Sequence, residues 1–182
     1  MAIGQHECKN ARDTGIFHAV EIGLDEAWTA LEESFHDLTD EQVSAFLATG
    51  KNNIAWIVMH CLDNLDEYCN GAMAGDRVHS SESLWNLAGF GPQDTPTPDD
   101  DCPPVVEMLD RLRAIRAAAV DNLARFDDET IAGRLDRHPH KTLRTDFYMR
   151  TIYHTISHTR QIWLLRGALG LVDGPWPEQH WA

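Results

Sequence analysis

LRTDFYMRTIYHTISHTRQIWLLRGALG, residues 143–170, reads as one long helix near the C-terminus and carries two histidines, His154 and His158, four residues apart. An α-helix turns about 100° per residue, so positions i and i+4 stand one above the other on one face. With His154 at zero, His158 falls at roughly 40°, and Phe147, Gln161, Leu165 and Leu169 lie within about 60° of the pair. That stripe is mostly apolar, and the pattern turns it toward a core. Two imidazoles one turn apart on such a stripe are either a metal clamp or two core histidines satisfied by neighbouring polar groups.

The rest of the chain sets the frame. Its 182 residues are 43% apolar and 24% charged, enough for one domain with a full core. The net charge of −14 repels phosphate backbones and anionic membranes, which excludes nucleic-acid and membrane partners. Cys8, Cys61, Cys69 and Cys102 form no C-x-x-C pair, so zinc ribbons and thioredoxin motifs are absent. No apolar leader opens the sequence and no apolar run reaches membrane-spanning length; a cytoplasmic protein with reduced thiols is the expectation.

Helical periodicity recurs three more times. A first helix is expected from a cap at Asp13 or Thr14 to about Ser34, and Thr39 to Gln42 reads as a capping box opening a short piece through Phe46. Asn52 or Asn53 caps a long helix beginning NIAWIVMHCLDNLDEYCN, with Cys61 and Cys69 on its apolar side. Pro103 or Pro104 starts another, with Asp101 as its cap. Residues 74–103 and 127–141 are irregular connections; the first has room for a short serine-capped turn, and the second holds His138-Pro139-His140, read as plain loop histidines with an entrance lining or an adventitious metal as the alternatives. Gly170 followed by Leu171 suits a Schellman ending to the last helix. With no alternating strand pattern, the fold class is all-α: a four-helix bundle with long crossover loops, a single domain over residues 1–182 with its core at about 14–170 and a tail at 171–182. Both the first-to-second and second-to-third connections are long enough to run the bundle's length. Tyr148, Ile152, Ile156 and Trp163 form a second apolar strip on the last helix, which points to a homodimer, with a cover of the chain's own loops or tail as the alternative.

The pair lacks the glutamate of H-E-x-x-H, because Thr155 follows His154, and it is not the Glu-x-x-His pattern of carboxylate-bridged di-iron bundles. A third ligand has to come from another helix. His60 is the candidate, on a helix flank at mid-bundle depth beside Trp56, Asn64 and Glu67. Three neutral imidazoles leave an open coordination position, the catalytic type of site, and suit zinc, nickel, iron or copper. Trp56 walls the pocket, Asn64 and Gln161 are polar neighbours of the ligands, and Glu67 is the candidate proton acceptor, with a solvated surface carboxylate as its plain alternative.

Two segments carry a family resemblance. NNIAWIVMHCLDN resembles the second-helix motif of the DinB-like superfamily, an asparagine, an apolar run and a histidine. YHTISHTRQIWLLRGALG resembles that superfamily's last-helix motif, H-x-x-x-H-x-x-Q ending in an apolar turn and a glycine. The separation of the two motifs matches as well, so the resemblance spans residues 14–170. Arg160 and Met59 depart from the residues common at those places, and neither departure removes a ligand. The resemblance implies a four-helix bundle, commonly dimeric, with one divalent metal ion on His60, His154 and His158: zinc or nickel first, iron or manganese next. It also implies a small-molecule substrate. Some relatives resemble S-transferases that use low-molecular-weight thiols, others metal-dependent hydrolases, and a third reading is a non-catalytic, stress-related metal-binding or sequestering dimer. DNA binding conflicts with the charge.

Overall fold

The computed structural model describes residues 15–47, 52–79, 101–135 and 143–171. The lead-in, the serine-capped turn, His138 and His140, and the tail beyond Leu171 lie outside these residues. Among the described residues the helices are α1 (Ile16–Phe35), α2 (Asp40–Ser44), α3 (Ile54–Asp66), a π-helical turn (Glu67–Gly71) leading into α4 (Ala72–Ala74), α5 (Val105–Leu123), α6 (Asp128–Ala132) and α7 (Arg144–Ala168). No strand occurs among them; Arg134 and Leu143 form one isolated antiparallel bridge.

The four long helices form a ring in which α1 and α3 each pack on both α5 and α7. Cross-helix contacts fix their directions. Arg166 reaches the carbonyl of Ser34, and a Cβ on Gly23 would meet Ile152, so α1 and α7 run parallel. Asn53 touches Cys102 while Asn70 reaches the carbonyl of Ile115, so α3 and α5 run parallel. His60 meets His154 and Tyr68 meets Phe147, so α3 and α7 are antiparallel. The order is up, down, down, up. The end of α1 and the start of α3 therefore lie at the same end of the bundle, and the end of α3 and the start of α5 at opposite ends.

Helix boundaries show where local signals work. Thr39 and Gln42 close the expected capping box, with Gln42 N donating to Thr39 Oγ1 at 3.2 Å and Thr39 N to Gln42 Oε1 at 2.8 Å. Asn53 caps α3, accepting from Trp56 N at 2.8 Å. At the C-terminus of α7, Gly170 takes φ 77°. Leu171 N then donates to Arg166 O at 2.8 Å and Gly170 N to Gly167 O at 3.1 Å, which is the Schellman pattern. Other caps come from afar. Helix α1 begins after Gly15 rather than at a cap on Asp13 or Thr14, and Phe17 N donates to Asp128 Oδ1 at 2.8 Å. A Cβ at Gly15 would collide with that carboxylate. Helix α5 follows Pro104, and Val105 N donates to Asp40 Oδ1 at 2.7 Å, so Asp40 and not Asp101 serves as its cap. Residues 128–132, expected to be irregular, form α6 with Asp127 accepting from Thr130 N.

The core runs through α1 (Leu24, Trp28, Leu31), α3 (Ile54 through Leu65), α5 (Met108, Leu112, Ile115) and α7 (Tyr148, Ile162). Helix α3 is apolar almost all round and buried almost all round, as that pattern requires. Helix α7 corrects the sequence reading in two ways. Its buried stripe is Tyr148, Thr151, Thr155, Thr159, Ile162 and Arg166, and the histidines stand half-buried on the flank of that stripe. Thr159 enters the core because its hydroxyl donates to the carbonyl of Thr155, one turn back, at 2.9 Å. Of the strip assigned to a subunit interface, Tyr148 and Ile152 are buried inside the chain, and Ile152 lies against Gly23 of α1.

Candidate metal centre

His60 projects from the middle of α3, and His154 and His158 project one turn apart from the middle of α7. Because the two helices run antiparallel, all three imidazoles converge in the groove between them. Their ligand-capable atoms all lie within 4.8 Å of one another, with no carboxylate or thiolate in the group. His60 Nε2 and His154 Nε2 are 2.9 Å apart. The ring centroids are separated by 4.7 Å (His60 to His154), 4.9 Å (His60 to His158) and 4.5 Å (His154 to His158).

Burial and neighbouring charge disfavour protonation of His60 and His154. Burial, then the charges of His158, His60 and Arg150, hold the His154 pKa down at about 4. Burial and His158 lower that of His60, with Asp63 opposing. Neutral imidazoles are the form that binds metal. Trp56, one turn before His60, stacks on its ring at 5.1 Å and 14° and covers one face. Gln161 Oε1 accepts from His158 Nδ1 at 2.9 Å, which fixes the tautomer and leaves the lone pair on Nε2. Asn64 follows His60 by one turn, and its Oδ1 is buried without a partner.

The donor set fits a divalent ion. Tetrahedral zinc with nitrogen ligands at about 2.0–2.1 Å spaces those nitrogens about 3.3 Å apart, and the His60–His154 pair needs only a few tenths of an ångström to reach that. Three imidazole nitrogens leave further positions open.

Glu67 is placed elsewhere. It opens the π-helical turn, two turns from His60, and pairs with Arg77 at 3.1 Å. Arg77 also holds Asp63 at 2.6 Å, so one guanidinium grips both carboxylates on this flank of α3. Two neighbours of the cluster went unrecognised in the sequence: Asp63, three residues after His60, and Arg150, four residues before His154. The i±3 and i±4 spacings that singled out Trp56 and Gln161 also mark these. The described thiols are no part of the site. Cys61 and Cys69 are fully buried, and burial drives both thiols up, that of Cys69 to about 12; half-buried Cys102 lies against Asn53.

The sequence pattern of the DinB superfamily matches residues 23–162, a span that contains all three histidines. The chain belongs to the DinB superfamily. Among solved structures, a conserved protein from Enterococcus faecalis is similar at a TM-score of 0.65, with 17% identity over 84% of this chain and 95% of that one, which shows a shared fold. No curated protein matches the chain. As a DinB-superfamily member the protein carries a histidine cluster able to hold a metal ion on His60, His154 and His158. No helix among the described residues is long and apolar enough to cross a membrane.

Proposed function

We propose that this protein is a metal-dependent S-transferase that joins a low-molecular-weight thiol to a small electrophile. The observation that carries the reading is a convergent set of three imidazoles with neither a carboxylate nor a protein thiol in the group. Metal sites of the H-E-x-x-H kind place a glutamate to take the proton of the attacking water. Here Glu67 and Asp63 are both engaged by Arg77. A thiol is acidic enough to ionise beside positive charge alone. With Cys61 and Cys69 buried and protonated, the nucleophile arrives with a substrate.

When bound, a divalent ion, zinc or nickel before iron or manganese, supplies the positive charge that favours thiolate over thiol. The chain's own residues prepare the place. Gln161 orients His158 through Nδ1, Trp56 shields His60 from water, and the low basicity of His60 and His154 keeps protons from competing for the ligand nitrogens. In the net reaction the thiol gives up its proton and its sulfur bonds to the electrophilic carbon. The leaving group departs with the electron pair of the bond it loses. Free, reduced cysteines suit a cytoplasmic setting, where such thiols are abundant.

The test is to purify the protein without a nickel column, measure its metal by elemental analysis, and screen thiol conjugation by mass spectrometry. About one divalent ion per chain and thiol-dependent product are expected, both lost in His60→Ala, His154→Ala and His158→Ala. Turnover of esters or lactones without thiol would identify a hydrolase on the same ligands. Bound metal with no turnover of either kind would leave a sequestering bundle.

A further inference from the structure

The groove between α3 and α7 extends beyond the histidines. His60 faces His154 at one end, and Tyr68 faces Phe147 at the other with ring centroids 5.5 Å apart. Arg150 stands between these ends on α7. It precedes His154 by one turn, about 6 Å of helix, and lies within roughly 40° of it, on the same face as Gln161. Its guanidinium is poised over the Tyr68 ring, 5.8 Å from the centroid. It is also close enough to contribute to the lowered basicity of His154.

What Arg150 lacks is a carboxylate. The chain holds 29 acidic residues against 15 basic ones. Arg77, Arg111, Arg113, Arg116 and Arg166 each pair with one or more acids. Arg144 spends its guanidinium on the carbonyls of Thr130 and Arg134. Arg150 has no acidic partner among the described residues, although it is the arginine beside the histidine cluster. Arg125 and Arg160 also stand without one, but Arg125 lies past the end of α5, and Arg160 projects about 120° away from His154 on α7. A guanidinium set over an aromatic ring and without a carboxylate partner keeps N–H groups available to an anion.

We propose that Arg150 is the residue that recognises substrate charge at this site, and that the thiol it receives is anionic, with a carboxylate several bonds from its sulfur. The inference rests on the S-transferase reading and narrows it. The sulfur goes to the histidine end of the groove and the carboxylate to the Tyr68 end, so neutral thiols such as 2-mercaptoethanol are poor substrates. The net charge of −14 gives Arg150 a second task, since it supplies a local cation against a field that would repel such a substrate.

The test is calorimetric binding to the zinc-loaded protein with three probes: N-acetylcysteine, its carboxamide, and N-acetylserine. Wild type is expected to bind N-acetylcysteine at least about tenfold more tightly than the carboxamide, as befits a charge-assisted contact. Arg150→Gln removes that preference and leaves the affinity for the carboxamide unchanged. Arg150→Lys restores part of it. Arg150 is exposed, so both variants are expected to fold, which their melting temperatures check. Equal affinities for acid and carboxamide in wild type, a preference that survives Arg150→Gln, or no binding of N-acetylcysteine would each overturn the assignment. N-acetylserine separates the two layers. If it binds as well as N-acetylcysteine while the Arg150-dependent preference persists, carboxylate recognition stands and the thiol reading falls.

Discussion

His60 Nε2 and His154 Nε2, 2.9 Å apart, cannot aim two lone pairs at each other. Without metal, one nitrogen must donate its proton to the other; with metal, both donate electron pairs to the ion. That contact excludes protonation of both rings, and burial disfavours imidazolium at either, which has a definite pH consequence for the metal-free protein. In the unfolded chain histidine titrates near 6.5. In the folded protein His154 titrates at about 4 and His60 below its ordinary value. Between these limits the unfolded chain binds more protons, so stability falls as pH drops from about 6.5 toward about 4. Urea denaturation of metal-free protein over that range should show the decline, and His154→Gln should make it shallower; stability that stayed flat on acidification would contradict the lowered basicity of His60 and His154. Gln161 gives a second prediction. Its carboxamide touches His158 from the exposed side, so Gln161→Leu should weaken zinc binding by about 10- to 100-fold, measured by chelator competition. The metal-free melting temperature should barely move. The three histidines were legible because each sits at a helical spacing that sequence displays. Arg77 was not, since its grip on Asp63 and Glu67 depends on where the chain turns after α4.

At the scale of elements, the helices were easier to find than their ends. Thr39, Asn53 and Gly170 act within a few residues of the backbone groups they satisfy, and reading along the chain finds them. Asp40 and Asp128 do not. They accept from the first turns of α5 and α1 across 65 and 111 residues, so no local rule could point to them. Each satisfies an N–H that no residue of its own helix satisfies. Asp40→Ala and Asp128→Ala should each cost about 0.5–2 kcal/mol in urea denaturation. The two caps lie near opposite ends of α5, so the double variant should lose the sum. A marked shortfall from additivity would mean that the ends of the bundle are coupled. The π-helical turn was equally hidden. Its extra residue lets Cys69 and Asn70 both face inward, and Asn70 then joins Asp66, the carbonyl of Ile115 and Asn122 in a buried polar network. Thr159 on the buried stripe of α7 misled for a related reason. Periodicity scores threonine as neutral, whereas a helix can bury it by returning its hydroxyl to the preceding turn.

For the whole molecule, parallel α1 and α7 form one wall of the bundle, and most of the exposed large apolar side chains collect there. On α7, Met149, Tyr153 and Leu164 are 45%, 71% and 72% exposed, with Ile156 between them; on α1, Ile16 and Ile22 are also exposed. Residues 149, 153, 156 and 164 share one helical face, turned away from the core stripe and having only Ile156 in common with the strip that the sequence suggested for an interface. Tyr148 and Ile152 of that strip pack inward because parallel α1 lies against α7, and Gly23 admits Ile152 where a larger residue would not. Which helices neighbour one another is a long-range fact, so periodicity showed that α7 has two apolar sides without showing which one α1 covers. The remaining side is where a homodimer is proposed to form, by α7 packing on its own copy around a two-fold axis, with Tyr153 as the kind of aromatic anchor that dominates such contacts. Sedimentation equilibrium tests this. Wild type should sediment as a dimer, and Tyr153→Glu with Leu164→Glu should sediment as a monomer that keeps its helical content, because neither side chain is in the core. The histidine groove lies on the α3 side of α7, so the monomeric variant should also retain zinc affinity. If separation of the subunits abolished metal binding, the site would depend on the second copy, and a centre complete within one chain could not stand.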